Sequence, residues 1–183
     1  MKEIAKWLVH RVSKGLWQGD EVAIDVDVEL AAFLDAGRRA GLWESDPVVA
    51  TESLPAPHRP PSRLREGCSA TYVFSLSSAY GETCEAGPNR VLKVGMVGPK
   101  SAARFTSQHY LPSSAGSNVA KSLITERLLW PFLGVEYLDA SNVKSWMLEN
   151  LERDHFFFDP NAQGLERQFE KFVRGRHGPV FEG

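Results

Sequence analysis

Acidic residues are missing from the middle of this chain. Residues 86 to 125 contain no Asp or Glu, while Arg90, Lys93, Lys100, Arg104 and Lys121 fall in that interval. Cysteine is scarce as well: Cys68 and Cys84 are the only two, too few for a disulfide framework or a zinc pattern. Free thiols in a reducing compartment are the expectation. No apolar run comes near the ~20 residues of a membrane span, so no membrane partner is expected. The opening residues Met1-Lys2-Glu3-Ile4-Ala5-Lys6-Trp7 break up their apolar positions with charge. They lack the apolar core of a secretory signal, and a cytoplasmic location is expected.

What is present suits a folded protein. With 183 residues and 43% hydrophobic composition, one domain of about 100–150 residues plus an appendage is the default. The net charge of −2 would not suggest nucleic acid, but its distribution does. Residues 1–52 hold ten acids against six bases. A cationic centre beside an acidic N-terminal part is what a phosphate-contacting surface needs; the plain alternative is an acid-free stretch arising by chance.

Helical spacing of Ile4, Trp7, Leu8, Val12 and Leu16 predicts an amphipathic helix over residues 3–16. Asp27 is positioned to cap a second helix that uses Leu30, Phe33 and Leu34 and stops near Gly37. Pro47, Pro55, Pro57, Pro60 and Pro61 then predict an extended linker. The expected organisation is a helical N-terminal region at 1–44, a Pro-rich linker at 45–67 and a main domain at 68–183. Within the main domain, strands are predicted at 70–76 and 90–96. Pro99 opens a helix running to about Tyr110, with further helices at 116–128 and 142–151. His155-Phe156-Phe157-Phe158 reads as a short buried strand or loop anchor. A last helix from Gly164 buries Leu165, Phe169, Phe172 and Val173, with Gly175 as its stop.

Four residues in this frame carry chemistry. Tyr72 lies on the first strand of the main domain. A phenol titrates near pH 10 and is a poor base in water, but beside a cation or a metal-bound water it accepts or orients a proton. Packing across strands is the ordinary alternative. Lys93 precedes Val94-Gly95, and strand alternation sends it to the face opposite Val94. Arg104 follows Gly98-Pro99 on the next helix; its planar guanidinium matches phosphate oxygens and stabilises the charge they gain during hydrolysis. Glu170 flanks the buried stripe of the last helix. It can hold a hard ion such as Mg²⁺ or pair with Arg174 one turn on. Gln108 and His109 sit about one turn past Arg104 and can line the same cleft.

The order strand–Tyr72, Lys93-Val94-Gly95, helix–Arg104 and late helical Glu170 resembles the catalytic core of the GIY-YIG nuclease superfamily, over roughly residues 70–183. Thr71-Tyr72 stands at the first motif. Lys93-Val94-Gly95 stands at the second with lysine in place of tyrosine, similar to one branch of the superfamily. The resemblance implies an α+β fold, a small antiparallel sheet flanked by helices and preceded by the short helical N-terminal region. It also implies an endonuclease that hydrolyses phosphodiester bonds in DNA with Mg²⁺ or Mn²⁺. Tyr72, Lys93, Arg104 and Glu170 would be catalytic, and Glu170 would hold the metal. The long segment 111–164 is expected to grip the substrate. Lys100, Gln108, His109, Lys121 and Arg153, with Lys144 and Asn150, are the candidates for nucleic-acid contact, those in the long segment held by helices. The N-terminal region would recognise DNA, a partner protein or a second copy in a homodimer.

Two other functions bear comparison. A nucleotide-binding phosphate loop at Gly95-Met96-Val97-Gly98-Pro99-Lys100-Ser101 has the glycines too close, no Gly directly before Lys100, and Pro99 where an N–H should face phosphate. A catalytically degenerate module on the same fold, binding nucleic acid or a partner, would keep the cationic surface without needing Glu170. The missing second-motif tyrosine, and the absence of the late asparagine usual in the family, are what favour it.

Overall fold

A computed structural model of the chain describes residues 24–116, 118–162 and 164–181. The helix expected at 3–16 lies outside them. Helix α1 (Val26–Arg39) leads into strand β1 (Val49–Leu54) and then β2 (Ser69–Leu76), short helix α2 (Ser78–Gly81) and β3 (Val91–Val97). Next come α3 (Ala102–Thr106), a 3-10 turn (Gln108–Tyr110), α4 (Val119–Thr125), a second 3-10 turn (Arg127–Leu129) and α5 (Trp130–Leu133). Helix α6 (Val143–Asn150) runs straight into β4 (Leu151–Phe158), and α7 (Leu165–His177) follows. The strands form one antiparallel sheet in the order β1-β4-β2-β3. The fold is therefore α+β, a four-stranded antiparallel sheet with helices on both faces.

All eight residues of β2 are buried, because it is a central strand covered on both sides; its run Tyr72-Val73-Phe74 does not alternate for the same reason. Tyr72, Phe74, Leu76, Leu92 and Phe157 share a core with Phe105, Tyr110, Leu123, Val143 and Met147 from the α3–α6 side. Val73, Val94, Phe156 and Phe158 share the opposite core with Phe33 of α1 and Phe169 and Val173 of α7. Phe33 meets Phe169 edge-on at 5.0 Å between ring centres. The buried carboxylate of Glu29 in α1 takes Nε of Arg176 at 3.0 Å and lies 3.1 Å from His177 Nε2 at the end of α7.

Residues 45–67 are not the extended linker that their prolines suggest. The interval between Pro47 and Pro55 is free of proline and forms β1 as an edge strand, where flanking prolines cost no ladder hydrogen bond. With α1 in the same core and β1 in the sheet, the described residues from 24 to 54 build onto the main sheet instead of standing apart. Asp25, not Asp27, caps α1, its carboxylate accepting from the N–H groups of Asp27 (2.9 Å) and Val28 (3.1 Å). The helix predicted to reach Tyr110 breaks after Thr106 into a 3-10 turn. Gly175 lies within α7, and the helix ends at Gly178, whose φ of 49° is left-handed. Beyond it the chain folds back onto β3: Val180 N–H donates to Val91 O (3.1 Å) and Phe181 N–H to Leu92 O (2.8 Å). Arg90 donates to Gly178 O at 2.9 Å, clamping the turn.

Candidate functional site

Tyr72 and Lys93 owe their common face to strand register. Tyr72 pairs with Gly95 and Phe74 with Lys93 across the β2–β3 ladder, so Lys93 and Gly95 lie on the Tyr72 side of the sheet. Gly95 is required by close approach. A Cβ there would overlap the Tyr72 hydroxyl and stand 2.6 Å from ring carbon Cζ. The phenol therefore lies across the glycine, and the third residue of Lys93-Val94-Gly95 has a packing reason as well as a motif reason.

Arg104 reaches this face from α3, which follows β3 after the turn at Gly98-Pro99 and leaves the guanidinium exposed. Glu170 arrives from the other layer. Phe169 and Val173 anchor α7 beneath the sheet, α7 packs along β3 and β2, and Glu170, next to the anchor, stays half-buried on the β3 side. Arg174 lies one turn on, 3.8 Å from the Glu170 carboxylate.

Arg104 and Glu170 each influence the ionisation of both Tyr72 and Lys93. Burial pushes the Tyr72 phenol up, Arg104 and Arg153 draw it down, and Glu170 adds a smaller upward push. Burial likewise holds the Lys93 ammonium below its usual range, reinforced by Arg174 and Arg104 and opposed by Glu170. The Tyr72 hydroxyl is buried with no hydrogen-bond partner of good geometry, although Arg104 comes near enough to influence its ionisation.

Below Tyr72 the face becomes a closed polar interior. His109 packs tilted against the Tyr72 ring, 4.5 Å between ring centres, and among the described residues neither of its ring nitrogens has a partner. His58 Nε2 lies 3.0 Å from the Tyr110 hydroxyl, and His155 Nδ1 lies 3.0 Å from Glu52. Burial, and after it the charge of Arg153, hold all three imidazoles below their ordinary range, His155 down to about 2. The His155–Glu52 contact is accordingly a hydrogen bond from a neutral ring and not an ion pair.

Two expected nucleic-acid contacts are corrected by this interior. His109 is 1% exposed and Arg153 0%, so neither reaches a backbone outside. The 3-10 turn rotates His109 inward, and Arg153 belongs to central strand β4 instead of a helix. Lys100 is exposed in the turn just before α3, Gln108 is half-buried beside His109, and Lys121 is exposed on α4. Arg174 was legible only as a partner for Glu170; its action on Lys93 depends on α7 crossing the sheet, which spacing along the chain does not reveal.

Among the described residues no group of three His, Cys, Asp or Glu side chains is placed to hold a metal. Glu170 supplies one oxygen donor, which fits a Mg²⁺ that keeps most of its water shell. Among the described residues no helix is long and apolar enough to cross a membrane, and Cys68 and Cys84 are free thiols. No protein-family model, curated protein or solved structure matches the chain.

Proposed function

We propose that this chain is a metal-dependent endonuclease hydrolysing phosphodiester bonds in DNA, a GIY-YIG-type enzyme of the branch with lysine at the second motif. What supports this reading is that Tyr72 and Lys93 share one face of the β2–β3 pair and that Arg104 and Glu170 each act on the ionisation of both. Arg104, the exposed member, binds the scissile phosphate and steadies the charge that builds on its oxygens. Tyr72, assisted by Lys93, orients or activates the attacking water; burial, Arg174 and Arg104 disfavour the charged form of Lys93. Glu170 would hold Mg²⁺ or Mn²⁺, which would supply charge stabilisation at the leaving oxygen; the carboxylate lies 3.8 Å from Arg174, which would have to release it.

A second reading, a binding module without catalysis, is favoured by one feature. Tyr72 is 0% and Lys93 2% exposed, so water does not reach the phenol in this conformation. One experiment separates the two readings: incubate plasmid and single-stranded DNA with the protein in Mg²⁺, in Mn²⁺ and in chelator. Metal-dependent nicking, abolished by Glu170→Ala or Arg104→Ala in variants that still fold, is the expected result. A gel shift without cutting under any metal leaves only the binding module.

A further inference from the structure

Arg153 is a guanidinium wholly removed from water, and among the described residues no carboxylate pairs with it. Placing such a charge inside a protein is unfavourable unless other groups replace the lost hydration. Here they are of three kinds. Nη2 donates to the Phe105 carbonyl at 2.6 Å, and Nη1 to the Tyr110 hydroxyl at 3.3 Å. Four rings surround the group, with centres 4.9 Å (Phe74), 5.0 Å (Phe105), 5.5 Å (Tyr72) and 5.8 Å (Tyr110) away. Nε has no partner. Each partner has a place relative to the site. Phe105 directly follows Arg104, Tyr110 closes the same segment, and Tyr72 is the site phenol.

We infer that Arg153 is a positioning residue of the cleavage site, fixing from inside the core the placement of Tyr72 relative to the segment that carries Arg104. The inference rests on the endonuclease reading for its consequence in catalysis, but not for its geometry. Arg153 sits on β4 opposite Phe74 of β2, and β4 is held on both sides by other strands. The α3 segment touches β3 and packs Phe105 on β4 but joins no ladder; its carbonyl and phenol are tied to β4 through one planar fork. The permanent charge also lies under the phenol, where it favours the ionised form.

The test uses the full chain with Arg153→Met and Arg153→Lys. Methionine fills similar space without charge, and replacing a buried ion by an apolar group commonly preserves stability. The expected result for Arg153→Met is a Tm close to wild type and retained DNA affinity, with metal-dependent cleavage about 100-fold slower, the usual consequence of misplacing a reacting group. Arg153→Lys, which keeps the charge but loses the fork, is expected to recover part of the rate. Tyrosine labelled with ¹³C at Cζ, with the Tyr72 signal assigned by Tyr72→Phe, gives a readout independent of cleavage. That signal is expected to move in Arg153→Met and to return part-way in Arg153→Lys. An unmoved Tyr72 signal with a wild-type rate overturns the inference, as does loss of folding in both variants, which makes Arg153 a scaffold residue only. If the wild-type protein binds DNA but never cuts it, the endonuclease reading falls and the Tyr72 signal alone decides on Arg153.

Discussion

Single side chains decide two measurable properties. Gly95 has no room for a Cβ under the Tyr72 phenol, whereas a Cβ at Gly98 would meet nothing within 4 Å. Gly95→Ala is therefore expected to cost about 1–3 kcal/mol by overpacking, with Gly98→Ala near neutral; urea denaturation of the pair checks it. Asp154, buried on β4 and accepting from Ser53 at 2.6 Å, is pushed up to about 6, chiefly by burial. Its folded value exceeds the ordinary 3.8, so its contribution is most favourable below that value and is lost as pH rises through about 6. Asp154→Asn should thus stabilise the protein at pH 7 by roughly 2–3 kcal/mol, and hardly at all at pH 4. Tyr72, Lys93, Arg104 and Glu170 were legible in the sequence because each sits at a predictable place on its own element. Arg153 was not, since only its pairing in β4 reveals that it faces inward.

Elements were read with uneven success, and the misses have physical causes. β2, β3 and α7 announce themselves by dense apolar residues or a helical stripe. β1 is masked by the density of proline over the whole interval, while what matters is the gap between Pro47 and Pro55 and the edge position that tolerates both. The length of β4 was hidden by its polar first half, Glu152-Arg153-Asp154-His155, which looks like surface until neighbours bury it. Docking of α1 was equally invisible, because its partner is α7, more than a hundred residues later. Phe33 is the anchor of that docking, at 4% exposure against Phe169, Phe172 and Trp43. Phe33→Ala is expected to cost about 3–5 kcal/mol and to raise amide exchange first in α1 and β1, as hydrogen exchange followed by mass spectrometry would resolve.

For the molecule as a whole, three neutral imidazoles, two buried and that of His58 half-buried, set the acid limit. His58, His109 and His155 are all held below the ordinary value of 6.5, so the unfolded chain binds more protons there. Stability they provide is complete above about pH 6.5 and drains away as pH falls below it. Asp154 works in the opposite sense between about 6 and 3.8, but one carboxyl does not offset three rings. The urea midpoint should drop steadily from pH 7 to pH 5; a flat profile would show the rings taking protons while folded. Val180 and Phe181 matter on the same scale. Their two hydrogen bonds to Val91 and Leu92 are what occupies the outer rim of β3 there, and ending the chain at Gly178 would uncover those carbonyls beside apolar side chains. A shortened protein would then have a sticky margin able to recruit a strand from its neighbour, and light scattering should report growing assemblies where the intact chain stays dispersed.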